Sequence, residues 1–383
     1  MKKLLIVAAA LLAVSLLDAP RAWAGPELPK EIEENQGGVD KVHFWGYGEL
    51  HYEGERGPGA IKRIDLHRFV IGMGYDFSDK IILRSEIDAE HAFKDPELEF
   101  AYLDFLISPA LNVRAGSLLM PVGHINENHE PPTFNGVERP ELYVNIIPSS
   151  WQEGGAGIHG EVADGLHYQL YLVQGLNGAG AGGKNFTAGS GIRNGRGEVD
   201  EAAARDMAGV TRLVFTGLPD LRLAASGYTG NSSQGKITKG AQVTIAESDA
   251  KYSFAGFDFE GLATLIKIGD AATLNAANGF VGTASIGSTL AGAYGEMGYH
   301  LLHLVAPSTE QDVVLFGRYE WYDTQYRVPS GFAADGDNRR SNIWLGATYR
   351  PIPQVAVKGN YIFRDDNKGG RADKIELGVG YYF

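Results

Sequence analysis

The amino-acid sequence predicts an all-β protein, a closed transmembrane antiparallel β-barrel of about sixteen strands, and three observations carry that expectation. The last ten residues alternate, with Ile375, Leu377, Val379, Tyr381 and Phe383 on one side and Lys374, Glu376, Gly378, Gly380 and Tyr382 on the other. Period two marks a strand with two unlike faces. Runs of this kind reach about ten residues or more, whereas strands of soluble sandwiches average about five or six. The connections between runs alternate between tight turns and long loops, as in a membrane barrel whose turns gather at one end. A chain that stops on a strand leaves an unpaired edge, and pairing with the first strand removes it.

Taken in order, the chain begins with the pattern of a secretory signal over residues 1–24. Lys2 and Lys3 precede an apolar run from Leu4 to Leu17, and Ala22-Trp23-Ala24 provides a small-residue cleavage pattern before Gly25. The signal carries Lys2, Lys3 and Arg21 against Asp18, so its removal makes a chain of net charge -13 more acidic still. Such a balance argues against a nucleic-acid partner. With no cysteine in the sequence, neither disulfides nor thiolate metal sites support the fold. Residues 25–41 hold Pro26, Pro29 and Gly37-Gly38 and read as a flexible periplasmic tail. The barrel occupies 42–383.

Within it the faces separate strand by strand. Ile81, Leu83, Ile87 and Ala89 oppose Arg84, Glu86, Asp88 and Glu90; Val355, Val357, Tyr361 and Phe363 oppose Lys358, Asn360 and Arg364. Lipid takes the first sets and water the second. The same reading puts Arg114, Arg318, Glu320 and Lys267 in the lumen. Tight turns fall at Ser78-Asp79, Ser108 to Ala110, Asp164-Gly165, Leu218-Pro219 and Pro351 to Pro353. The weakest stretch is 231–287, where strands are read at 251–260 and 262–269 with a long loop from 231 to 250.

The connection 121–153 is exceptional. It holds five prolines, and Glu127, Glu130, Glu138, Glu141 and Glu153 stand against the single base Arg139. The run Val113-Arg114-Ala115-Gly116-Ser117-Leu118-Leu119-Met120-Pro121-Val122-Gly123, followed by Glu138-Arg139-Pro140 and by Gly155 to Gly160, resembles the corresponding region of phosphate-selective porins of the O and P type. The final strand, ending on Phe383, is similar to the last strand of bacterial outer-membrane proteins. The resemblance implies a homotrimeric, sixteen-stranded channel in the bacterial outer membrane, surrounded by its lipid, whose third external loop folds inward as a constriction. A barrel of that size otherwise leaves an aqueous channel too wide to discriminate.

These features imply passive diffusion of small hydrophilic solutes and ions, with no cofactor, no catalytic residue and no metal site. The residues expected at the pore and constriction are Arg84, Glu86, Asp88, Arg114, Glu127, Glu130, Glu138, Arg139, Glu141, Arg318, Glu320, Lys358 and Arg364, with loop carboxylates facing wall cations to set a transverse field. Phosphate or anion specificity is the alternative within transport. It fits less well, because the lumen as read mixes acids and bases evenly and the loop is acidic. A barrel hydrolase is a further alternative, but there is no G-x-S-x-G, and Ser226, His300 and His303 fall at no recognised spacing. So is a structural sheath around a partner protein. Gly178, Gly183 and Lys184 match part of a phosphate-binding loop, but Asn185 stands where Ser or Thr is required. His124, Glu127, His129 and Glu130 match no metal-ligand spacing.

Overall fold

In the computed structural model, residues 41–57, 59–180, 185–366 and 368–383 are described. The predicted signal peptide, the tail up to residue 40 and the Gly183-Lys184 pair lie outside them. The described residues form sixteen strands: β1 Val42–Glu55, β2 Lys62–Ser78, β3 Ile81–Glu90, β4 Asp95–Ser108, β5 Leu111–Leu119, β6 Gln152–Ala163, β7 Leu166–Gln174 and β8 Met207–Leu218, then β9 Leu221–Asn231, β10 Gln242–Phe254, β11 Phe257–Ile268, β12 Thr289–His300, β13 Asp312–Arg327, β14 Arg339–Ile352, β15 Val355–Asp366 and β16 Lys374–Tyr382. Each pairs antiparallel with its neighbours in sequence, and β16 pairs with β1 from Tyr47↔Tyr382 to Glu55↔Lys374, closing the barrel. Phe383 completes the seam, its N–H donating to the Gly46 carbonyl at 2.8 Å and its carbonyl accepting from the Gly46 N–H at 2.9 Å. The expected closure is therefore met at the last residue, and no sheet edge is left to pair elsewhere.

The burial pattern fixes which face meets lipid. On β14, Ile343 and Leu345 are 48 % and 52 % exposed, while Asn342 and Trp344 between them are 1 % exposed each, and Glu320 and Arg318 on β13 are 0 % and 3 %. Large apolar side chains outside and charges inside invert the arrangement of a soluble sandwich, and the inversion recurs around the wall. Phe77, Phe105 and Tyr349 are exposed close to the short turns, where an interfacial belt is expected.

The weak stretch needed correction. The predicted strand at 251–260 straddles the real hairpin turn at Ala255-Gly256, whose φ values of 50° and 80° are those of a two-residue turn matching strand twist. Gly261, read as a break, lies in mid-strand opposite Gly295. The supposed loop from 231 shrinks because Gln242 to Ala250 is a strand whose outward residues, Thr244, Ala246 and Ser248, are too small to signal a lipid face. Lys267, assigned to the lumen, shares the exposed outer face with Leu265, since the adjacent Ile266 and Ile268 are the buried ones.

The long connections gather at the end opposite the tight turns. They carry short helices, α1 Leu142–Asn145 and α2 Ala271–Ala277, while α3 Leu302–Val305 lies in the one extended connection at the short-turn end.

Candidate functional site

The loop between β5 and β6 is the element that gives the interior its shape. Its base is tied by Asn126, fully buried, whose side chain donates to the carbonyls of Met120 (2.8 Å) and Trp151 (2.9 Å) and accepts from the Trp151 N–H (2.8 Å). From there its backbone reaches inward-facing side chains on strands far apart around the wall. Arg68 on β2 donates to the His129 carbonyl (3.1 Å), Arg350 on β14 to that of Pro132 (3.1 Å), and Arg318 on β13 to that of Asn135 (2.8 Å). Lys358 on β15 donates to the carbonyls of Pro131 and Phe134. Asn360 accepts from the Val137 N–H (2.8 Å), and Glu320 from that of Leu142 (3.2 Å). The chemistry is complementary: a segment with adjacent prolines offers carbonyls and few N–H groups, so cationic donors satisfy it.

That arrangement corrects one expectation. Of the wall cations expected to face loop carboxylates, Arg318 and Lys358 hold loop main chain instead, Arg318 pairing also with Glu296 of β12 at 2.7 Å, while Arg114 lines a cavity with Glu127 and Glu130. Arg84 pairs with Asp76 (2.8 Å), Arg114 with Asp104 (2.6 Å) and Arg364 with Glu55 (2.7 Å), all on the wall. The loop carboxylates find other partners. Glu141 accepts from Arg371 at 2.7 Å and from Tyr322, Glu138 meets His51 at 3.0 Å, and Glu127 accepts from Gln169 at 2.7 Å. Burial opposes the ionisation of Glu138 and Glu141, yet His67 and His51 beside the one and Arg371 beside the other hold both carboxyls below the ordinary range. Glu130 is pushed up, because burial outweighs the opposing pull of His129 and Arg68. Arg139 is buried within reach of Ser150, and Asp88 is buried on β3. Glu86 and Arg114 of the wall do face Glu127 and Glu130 of the loop, across a cavity of about 180 Å³ lined also by His129 and Tyr171.

Around the interior the lining is uneven. On β8 to β12, the half nearest the loops is apolar: Val210, Tyr228, Val243, Ile245, Ile266 and Leu290 are buried. They pack with Leu142, Tyr143, Ile146 and Trp151 of the long loop and with Leu176, Phe186 and Leu274 of its neighbours. The arc from β13 through β16 to β3 is richer in charge from mid-height to the rim, with Glu320, Asn342, Glu376, Glu53, Glu49 and Arg68 buried there beside a small apolar cluster of Phe316, Trp344 and Ile362.

Several groups escaped the sequence reading. Glu49, Glu53, Glu99, Glu247 and Asp249 are buried acids on the inner face. His51 and His67 stack with ring centroids 4.9 Å apart, and His91 meets His67 edge-on at 5.6 Å. A hairpin placing His51 opposite Asp65 was readable from the two flanking period-two runs, had the register been assigned. Of the four loop residues considered as metal ligands, the structure separates His124, bonded to Asn128, from His129, which sits with Glu86 and Glu99. Ser226 accepts from Arg212, and His300 lies between Asp258 and Asp312.

No family model matches the chain. Over 370 residues it is 33 % identical to an "Uncharacterized protein" of Aquifex aeolicus (strain VF5), covering 93 % of this chain and 82 % of that one. Among solved structures it is similar to OmpF of Salmonella typhi in complex with daunomycin, with a TM-score of 0.60, 12 % identity and coverage of 89 % of this chain and 97 % of that one. It is likewise similar to an anion-selective porin of Comamonas acidovorans, with a TM-score of 0.58, 11 % identity and coverage of 89 % and 99 %. The fold is that of bacterial outer-membrane porins.

Proposed function

We propose, for a chain that belongs to one family with the Aquifex aeolicus protein, that it is a porin of the bacterial outer membrane passing small hydrophilic solutes and ions by diffusion, without covalent chemistry or cofactor. The observation that carries this reading is the inverted wall, lipophilic outside and charged within, on a closed barrel of sixteen strands. The loop 121–153 acts as the constriction, since its carbonyls are held from β2, β13, β14 and β15 at once. The polar arc from β13 round to β3 carries the water path, and the apolar packing under β8 to β12 excludes water from the opposite side of the mouth. Short turns and both ends of the barrel face the periplasm, and the assembly is a homotrimer, as the resemblance to O and P-type porins implies.

Selectivity is weak and favours cations. The acids Glu49, Glu53, Glu99, Glu247 and Asp249 add to an already acidic loop, whereas Lys267 leaves the lumen for the outer face. The anion selectivity named for the Comamonas protein and the phosphate preference of the O and P type both want an excess of bases. Planar-bilayer recordings test the reading. Wild type should give discrete conductance steps with a modest cation-side reversal potential, and a chain lacking residues 124–150 should conduct more. Strong anion selectivity would overturn the charge assignment, and a barrel that yields no steps with or without the loop would overturn the channel.

A further inference from the structure

The geometry points to a binding site for a divalent transition-metal ion of the Zn²⁺ type at the loop end of the barrel, formed by Asp65, His67 and His91. Three features of the backbone bring these residues together. In the β1–β2 hairpin Glu49 pairs with Arg68 and Leu50 with Leu66, so His67 is the extra residue of a bulge, a device that re-aims a side chain. Asp65 lies opposite His51 in the same ladder. The turn from β3 to β4 folds back over β2, with the His91 N–H donating to the His67 carbonyl and the Ala92 N–H to that of Leu66, each at 3.2 Å. His91, Ala92 and Phe93 all have positive φ, at 49°, 57° and 69°, and this left-handed run sets the His91 ring over Asp65.

The ligand atoms are placed for a common ion. Asp65 Oδ2 is 2.7 Å from His91 Nδ1 and 3.5 Å from His67 Nδ1, and one ligand atom from each residue lies within 4.8 Å of the others. Ligands at about 2.0–2.1 Å around a tetrahedral ion stand about 3.3–3.4 Å apart, between the two observed separations. Two imidazoles and a carboxylate suit borderline transition cations; Mg²⁺ and Ca²⁺ want more oxygen ligands than are offered. Three protein ligands also leave a position open for water or exchange. The side chains of Asp65, His67 and His91 are 23 %, 22 % and 39 % exposed, so the site is reached from solvent at the mouth. Behind it, His67 belongs to a second triad with His51 and with Glu138 of the long loop. An ion at the mouth therefore sits one imidazole away from the segment expected to narrow the pore.

Calorimetric titration of the full mature chain, refolded in detergent, with ZnCl2 and separately with MgCl2 tests the site. Wild type should show one saturable Zn²⁺ site per chain and no comparable Mg²⁺ binding. His91→Asn keeps a residue that tolerates the left-handed backbone, and His67→Phe keeps the ring contacts with His51 and His91; each should weaken Zn²⁺ binding about a hundredfold or more. His303→Ala, at the opposite end, should leave it unchanged. Zn²⁺ binding that survives both ligand substitutions, or that disappears with His303→Ala, would overturn the proposal and leave a hydrogen-bonded rim network. Because calorimetry reads binding without conduction, a chain that takes up Zn²⁺ through these residues yet forms no channels would sink the channel reading while supporting the site. In a conducting chain, Zn²⁺ added on the loop side should lower the wild-type current and spare that of His91→Asn.

Discussion

The two sides of the barrel interior solve the same problem in opposite ways. Beneath β8 to β12 the loop residues Leu142, Ile146 and Trp151 join Tyr228, Val243 and Ile245 of the wall in a packed apolar cluster, as in the core of a soluble domain. Across from it, on β13 to β3, ion pairs and charge-to-carbonyl bonds predominate, such as Arg68 with Glu49 and Lys358 with the loop backbone, around a small cluster of Phe316, Trp344 and Ile362. Apolar packing anchors the loop by excluding water. The polar arc anchors the same loop while leaving groups that water can solvate. The contrast teaches that one connection can be held by apolar packing on one arc and by charges on the other, according to which arc it faces.

The contrast can be broken by substitution, beginning with the largest expected effect. Trp151→Ala empties the centre of the apolar cluster, where the ring packs 5.3 Å from Tyr228, and should cost about 3–5 kcal/mol in detergent unfolding experiments with little change in reversal potential. Glu141→Gln removes a charge that Arg371 and Tyr322 hold from the polar side, and should cost about 1.5–3 kcal/mol while raising open-channel noise as the loop loosens. A side chain at Gly380 would bring its Cβ within 2.4 Å of the Pro131 Cβ. Gly380→Val should therefore displace the loop from β16, at about 1–3 kcal/mol, and alter single-channel conductance more than stability. Lys368→Met, which removes the exposed pairs to Asp335 and Asp337 at the rim, should leave unfolding unchanged within error. A selectivity change from Trp151→Ala larger than that from Glu141→Gln would erase the distinction between the arcs.

Much of the fold was legible because lipid and water impose a strict alternation on long strands. Ile81 to Glu90 and Val355 to Arg364 show it directly, and the closing strand at Phe383 shows it best. Legibility failed where outward side chains were small, as at Thr244, Ala246 and Ser248, since a period carried by small residues has little amplitude. The site was less legible than the fold. Charges on strands were mostly assigned to the right face, but their partners were not, because a partner is set by strand register and by the loop's path rather than by any local pattern. Arg318 and Lys358 show the difference: their inward direction follows from period two, and their bond to loop carbonyls does not.

By itself the sequence determined the barrel, its closure, the ends at which turns and loops gather, and an acidic, proline-rich loop after the fifth strand, since each depends on alternation or composition along short stretches. Only the tertiary structure decided which wall residues hold that loop, that the mouth beneath β8 to β12 is packed with hydrocarbon, and that His67 and His91 meet at Asp65. Those outcomes depend on residues far apart in the chain arriving at one height on the wall, which follows from the register of every intervening strand and from one bulge, and no local run of residues encodes that sum.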